Sequence, residues 1–107
     1  MTTGSRVADI EWIARTEDVG VRVNTLAPGQ GTPWHHHSVV TDDIFCLEDP
    51  VEIGFRGPDE TVSLRPGQRV RIAPGRVHRV VNRGVRPLRY LLVQTGGKYD
   101  FVEVGGE

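Results

Sequence analysis

Three of the four histidines in this sequence are adjacent, at His35, His36 and His37. Imidazole is a ligand for zinc, iron, copper, nickel and, with carboxylate help, manganese, provided that it is held rigidly. If Pro33–His37 forms a strand, its side chains alternate between two faces, so His35 and His37 share one face and His36 takes the other. The segment therefore predicts two metal-binding imidazoles on one face, against the simpler interpretation of a solvated histidine loop.

A carboxylate ligand is predicted from the segment that follows, where Asp42 ends a polar connection and Asp43 begins the predicted strand Asp43–Leu47. Only one of the two can face the histidines, because a shift of one residue exchanges the faces of a strand. If Asp42 faced inward, Glu48 would follow it, and an unpaired carboxylate in a barrel interior costs on the order of several kcal/mol. We therefore predict that Asp43 is the ligand, with Asp42 as the alternative.

The same register assigns the rest of this strand. It places Phe45 and Leu47 on the inner face with Asp43, where they would line a pocket. It places Ile44 and Cys46 on the outer face, and two apolar residues there indicate that this face is also covered.

Composition excludes several classes of protein. The chain has 107 residues, which predicts one domain, and its formal net charge of −1 gives no electrostatic case for nucleic acid or membrane binding. It contains neither a long apolar run nor a signal-like start, so we expect a cytoplasmic protein. The single cysteine, Cys46, cannot form an internal disulfide, which agrees with a reducing compartment.

Short strands separated by turns account for most of the remaining sequence, and thirteen glycines and seven prolines lie among them. This spacing predicts nine or ten strands in an all-β sandwich or barrel, whose open edges favour a homodimer. Residues 7–15 have no clean period and fit either a strand or a turn of helix. The other predicted strands are Val19–Leu26, Val51–Phe55, Glu60–Leu64, Arg69–Ile72, Val77–Asn82, Leu88–Gln94 and Tyr99–Val104.

Two glycine-led motifs give the sequence a resemblance to the cupin superfamily, over about residues 19–94. The first family motif runs G-x5-H-x-H-x3,4-E, and Gly29 is followed here by five residues and then His35-x-His37. The second runs G-x5-P-x-G-x2-H-x3-N, and Gly67 leads here to His78 and Asn82 with the same spacing. An aspartate replaces the family's glutamate, either Asp42 after four intervening residues or Asp43 after five, so the carboxylate ligand is shorter.

The resemblance implies an all-β double-stranded β-helix, the cupin or jelly-roll barrel, as a single domain over residues 1–107. Residues 1–18 and 99–104 would extend its motif-bearing core. It also implies one divalent transition metal, Fe, Mn, Ni, Cu or Zn, held by His35, His37 and His78 with Asp43 as fourth ligand. Four ligands on an octahedral ion leave two positions open, as in a catalytic site.

We predict from this a metal-dependent enzyme of the oxygenase type that acts on a small organic molecule. The alternatives are a non-redox isomerase, epimerase or cyclase, and a non-catalytic small-molecule binding or sensing protein. Predicted pocket residues are Phe45, Leu47, Val80 and Asn82. Tyr90 and Gln94 are candidates to orient a substrate oxygen, although the pattern leaves open which face of their strand points inward, and a buried tyrosine is more often part of the core.

Overall fold

The structure, a computed structural model, describes residues 7–48 and 50–105. These residues form ten strands and no helix, which confirms the all-β prediction, and they accordingly contain no helix capable of spanning a membrane. The first six residues of the predicted N-terminal extension lie outside the described range. The strands are β1 Asp9–Arg15, β2 Val19–Leu26, β3 His35–His36, β4 Thr41–Cys46, β5 Val51–Phe55, β6 Glu60–Leu64, β7 Arg69–Ile72, β8 His78–Val81, β9 Leu88–Thr95 and β10 Val102–Glu103.

The strands form two five-stranded antiparallel sheets, in the orders β1-β2-β9-β4-β7 and β10-β3-β8-β5-β6. From β2 onward the chain passes from one sheet to the other at every step except the β5–β6 hairpin. This alternation is the double-stranded β-helix expected from the motifs. Because of it, the histidine-bearing strands β3 and β8 lie side by side in one sheet, facing β4 and β9 in the other.

Side-chain alternation along β9 shows how the sheets form a common core. Leu88, Tyr90, Leu92 and Gln94 are buried, whereas the residues between them are exposed or half-buried. This identifies the Tyr90 set as the inward face, which the sequence pattern had left open. Apolar side chains from both sheets pack between them, because burying their surface is the main favourable contribution to folding.

Strand β4 has the opposite register from the one we predicted. Ile44 and Cys46 are buried in the hydrophobic core, so their predicted position on the outer face was wrong. Leu47 is exposed and Phe45 only half-buried. Glu48 does not follow the inward face, because β4 ends at Cys46 and the Glu48 carboxylate lies at the surface, 2.8 Å from Arg89.

Strand β1 occupies the edge of the first sheet. For this segment the sequence left open whether it forms a strand or a turn of helix. It pairs with β2 through a register that shifts between Trp12 and Ala14. All seven of its residues are exposed, including the apolar Ile10 and Ile13. The first sheet therefore has an exposed edge strand that carries apolar side chains.

Asn82 lies between the end of β2 and the turn after β8, and not in the pocket where we predicted it. Its side-chain Nδ2 donates to the carbonyl oxygens of Leu26, Ala27 and Arg86, at 3.1, 3.2 and 2.8 Å. Its Oδ1 accepts from the backbone N–H of Gly84 at 2.9 Å. One buried amide thus holds the end of β2 against the turn between β8 and β9.

We expect Asn82→Ala to lower the free energy of unfolding by about 2–4 kcal/mol, because it leaves several buried backbone groups without a partner. Urea denaturation monitored by circular dichroism measures this. Ser63→Ala, at an exposed position of the same sheet as β8, should stay within about 0.5 kcal/mol of the wild-type value. An Asn82→Ala protein as stable as the wild type would show that these hydrogen bonds do not hold the turn.

Candidate metal centre

Three histidines converge inside the barrel. His35 on β3 pairs across the sheet with His78 on β8, and His37 follows two residues after His35, on the same face. One ring nitrogen of each lies within 4.8 Å of those of the other two, and all three residues are buried. His36, which is half-buried, does not belong to this group within the described chain. The three buried histidines could hold a metal ion, and His35 and His37 share one face as the strand alternation predicted.

Backbone carbonyl groups fix the orientation of all three rings. Because a carbonyl oxygen only accepts hydrogen bonds, each ring must carry its proton on Nδ1 when neutral, leaving the Nε2 lone pair free. Such outer contacts are typical of histidines that bind metals. The Nδ1 contacts are His35 with Pro33 O at 2.7 Å, His37 with Asp100 O at 2.6 Å and His78 with Arg76 O at 2.8 Å.

The carboxylate beside the histidines belongs to Asp42. Its Oδ2 lies 3.2 Å from His37 Nε2 and 3.4 Å from His78 Nε2, and its Oδ1 accepts a hydrogen bond from Gln94 Nε2 at 2.9 Å. The residue is only 2% exposed. Gln94 donates to one oxygen of this buried carboxylate, and the other oxygen needs either a protonated ring that donates from Nε2 or a bound cation. Four residues separate Asp42 from His37, which is the spacing that the family motif allows.

Asp43, which we had assigned as the ligand, points to the other side of β4. Arg71 Nε donates to its Oδ1 at 2.9 Å, and Arg69 Nη1 to the same oxygen at 3.1 Å. Both arginines alternate along β7, which pairs with β4. The assignment of Asp43 was therefore wrong, because the cost of burying Asp42 was judged without its partners.

The electrostatics of the site differ from one histidine to the next. Burial and the neighbouring His78 lower the pKa of His35 to about 3, so its ring stays neutral. Burial alone would lower the pKa of His37, but the hydrogen bond and charge of Asp42 raise it above its ordinary value. Burial alone would raise the pKa of Asp42, but hydrogen bonds from His37 and His78 hold it well below its usual range. Asp42 is therefore ionised.

The donor set fits a divalent transition metal. Three neutral imidazole nitrogens and one carboxylate oxygen suit iron, manganese, nickel, copper and zinc. Ligand atoms bonded to such an ion at about 2.1 Å and at right angles lie roughly 3 Å apart. The two separations between Asp42 Oδ2 and the histidines, 3.2 and 3.4 Å, are close to this spacing.

A cavity of about 320 Å³ opens from these residues through the barrel, and we call it the barrel cavity. Of the predicted pocket residues, Val80 lines it, as does Tyr90, the predicted substrate-orienting residue, whereas Phe45 faces outward on β4 and Leu47 is exposed just after that strand. Gln94 Nε2 donates a hydrogen bond to Asp42 Oδ1. The other lining residues are Val7, Ile10, Arg22, Asn24, Thr32, Ile44, Leu92, Tyr99 and Phe101.

Several of these lining residues were missed from the sequence. Phe101 stacks on His35 with ring centroids 4.2 Å apart, and Tyr99 lies 5.4 Å from the His37 ring. Both come from the segment before β10, which is distant in sequence from the histidines. The alternation along β2 indicated one buried face but did not show that its polar set, Arg22 and Asn24, faces the cavity.

We expect nitrogen NMR of the metal-free protein at alkaline pH to show Nδ1 protonated and Nε2 unprotonated in all three cavity histidines. The physical reason is the backbone carbonyl that each Nδ1 contacts. His36 is the internal comparison, since its Nδ1 has no hydrogen-bond partner among the residues that the structure describes. A proton found on Nε2 of His35, His37 or His78 would contradict this arrangement.

Structures that resemble this one share its barrel. An uncharacterized conserved protein with a double-stranded beta-helix domain from Klebsiella pneumoniae subsp. pneumoniae MGH 78578 is 23% identical, with a TM-score of 0.80 over 99% of this chain and 90% of that one. The polyketide cyclase RemF from Streptomyces resistomycificus is 21% identical, with a TM-score of 0.73 over 86% and 64% of the two chains. An oxalate oxidase in complex with glycolate is 17% identical, with a TM-score of 0.77 over 90% and 54%.

At these identities the structural likeness shows the fold alone, and no curated protein matches the sequence. The family is shown by a sequence model described as a cupin domain, which matches residues 22–94. That range includes both histidine motifs and most of the two sheets. This chain therefore belongs to the cupin family.

Proposed function

We propose that this protein is a metal-dependent enzyme of the oxygenase type, acting on a small organic molecule inside the barrel cavity. One observation carries the proposal: three buried imidazoles held by their Nδ1 atoms, so that their Nε2 atoms converge beside the Asp42 carboxylate. The residues that would hold the ion are His35, His37, His78 and Asp42. Asp42 here replaces Asp43 of the sequence prediction.

A bound divalent ion would supply Lewis acidity and, if it is redox-active, a route for electrons between substrate and dioxygen. The substrate would reach the ion through the barrel cavity, which the three histidines and Asp42 line. Asp42 would offset part of the ion's charge, while Gln94 fixes its carboxylate. The apolar walls of the cavity would exclude water from the reacting groups.

A second candidate is a non-redox isomerase, epimerase or cyclase, and the contact between His37 and Asp42 favours it specifically. In protein without a metal ion on His37, the hydrogen bond and charge of Asp42 raise the pKa of this imidazole despite its burial, so it can hold a proton beside the cavity, as a general acid must. The polyketide cyclase among the similar structures shows the same barrel in an enzyme of this class. Non-catalytic binding or sensing is the third candidate.

We expect His35→Ala, His37→Ala and His78→Ala each to weaken metal binding by on the order of several kcal/mol, because each removes one imidazole ligand. Asp42→Asn should weaken binding as well, through loss of the charged oxygen. Elemental analysis of protein purified without added metal, together with the metal-dependent rise in melting temperature, measures both effects.

Two matched controls separate the ligands from their neighbours in sequence. His36→Ala and Asp43→Asn alter the same residue types one position away, and both should retain their metal. Loss of metal in Asp43→Asn with retention in Asp42→Asn would contradict the register of β4. Wild-type protein that binds no divalent transition metal would overturn the proposed function.

Oxygen uptake by the metal-loaded protein separates the candidates. Uptake that depends on an added organic substrate and disappears in His78→Ala would support the oxygenase. Substrate turnover without oxygen uptake, with a redox-inactive ion such as zinc bound, would favour the isomerase or cyclase. Binding of a small molecule without any turnover would favour the third candidate.

We also propose that the protein is a homodimer and that it is cytoplasmic, as predicted from the sequence. Ile44 and Cys46 lie in the core and give no support for a dimer, whereas the exposed edge strand β1, with Ile10 and Ile13, supports it. Size-exclusion chromatography with light scattering should give the dimer mass for the wild type and the monomer mass for Ile13→Asp. A wild-type monomer at all concentrations would contradict this.

A further inference from the structure

A positively charged side chain outside the metal centre lines the barrel cavity. Arg22 on β2 is a lining residue, and its Nε atom is buried without a hydrogen-bond partner within the described part of the chain. Buried polar atoms in native proteins nearly always have a partner, so an unpaired guanidinium nitrogen in a cavity points to a missing acceptor. Besides Arg22, Asp42 is the only lining residue among the described ones with a formal charge when the histidines are neutral.

Two aromatic rings fix the position of this guanidinium. Its central carbon lies 5.0 Å from the Trp12 ring centroid and 5.4 Å from that of Tyr99. Cation–π contacts hold the group in place but provide no acceptor for its N–H donors. The Tyr99 ring is in turn 5.4 Å from the ring of His37. The Tyr99 ring therefore contacts both the Arg22 guanidinium and the His37 ring, so one small molecule can reach Arg22 and the metal centre together.

Asn24 adds an unpaired acceptor on the same face of β2. It is 3% exposed, and its Nδ2 donates to Tyr90 Oη at 3.1 Å. Its Oδ1 is buried and accepts from no other described residue. Burial raises the pKa of Tyr90 to about 12, so the Tyr90 hydroxyl stays protonated and this pair is neutral. The cavity thus presents a cationic donor and a neutral acceptor two residues apart along one strand.

Charge balance gives the sign of the ligand. With a divalent ion bound, the ion and Arg22 together outweigh the single negative charge of Asp42, so the cavity is electropositive. An anionic ligand would reduce this excess, whereas a cation would increase it. The walls between the charged ends are apolar, formed among others by Ile44, Val80 and Leu92. This combination favours an anion with an apolar body.

We propose that the substrate is a small organic acid that also carries a hydroxyl group. Its carboxylate accepts hydrogen bonds from Arg22, whose planar guanidinium matches a carboxylate. Its hydroxyl donates to Asn24 Oδ1, and its apolar body lies along the walls toward the metal centre. This inference rests on the proposed function for the reaction, but the subsite itself is formed by residues that do not bind the metal.

The test compares two probes that differ in charge and hardly in shape, meta-hydroxybenzoate and meta-hydroxybenzamide. Isothermal titration calorimetry on manganese-loaded wild-type protein should show the acid binding at least about tenfold more tightly than the amide. Arg22→Gln should remove this preference while leaving the metal content unchanged. Arg22→Lys, which keeps the charge but loses the planar fork, should retain part of it. Arg89→Gln is the matched control, because Arg89 is an exposed arginine on β9, in the same sheet as Arg22, and pairs with Glu48. This variant should keep the full preference for the acid.

Metal-free protein distinguishes failure of this inference from failure of the proposed function. A preference for the acid that persists without metal and disappears in Arg22→Gln would support the subsite even if the metal site fails. Metal binding without any preference for the acid would overturn the subsite and leave the proposed function standing. An undiminished preference in folded Arg22→Gln, which would mean that the metal alone binds the carboxylate, would also overturn it. So would failure of the acid to bind wild-type protein at millimolar concentration.

Discussion

Burial of the Asp42 carboxylate is the constraint around which the interior of this barrel is arranged. A carboxylate that is 2% exposed must have partners: Gln94 donates to one of its oxygens, and the other lies beside the Nε2 atoms of His37 and His78, where a proton or a cation would satisfy it. Each partner comes from a different segment of the chain, so satisfying one charge fixes how these segments meet. The same contacts place the convergent imidazoles next to a negative charge, as a divalent cation requires.

Hydrogen bonds orient the four side chains that would bind the metal. Backbone oxygens of Pro33, Arg76 and Asp100 orient the three rings, and Gln94 orients the carboxylate. Most of these groups lie within two residues of the side chain that they hold or directly across a sheet from it. Asp100 is the exception, since the segment before β10 crosses to the histidines from the far end of the sequence. The centre therefore depends on the C-terminal segment as well as on the two motifs.

Much of this could be predicted because it is local in sequence. Strand alternation selects His35 and His37, and motif spacing adds His78, so the imidazole set follows from residues that are close together or lie at a fixed spacing. The choice between Asp42 and Asp43 failed, because it depends on partners in β7, β8 and β9 that only the fold brings near. Arg22 was missed for the same reason: a polar residue alternating with valines is usually solvent-facing, and only the cavity shows that it is not.

The central claim is that Asp42, and not its neighbour, completes a three-histidine metal centre. Its most direct test is a crystal structure of the metal-loaded protein with anomalous scattering measured at the absorption edge of the bound metal. We predict one anomalous peak at about 2.1 Å from the Nε2 atoms of His35, His37 and His78 and from a carboxylate oxygen of Asp42. A peak bound instead to Asp43 or His36, or no peak among the cavity histidines, would contradict the account.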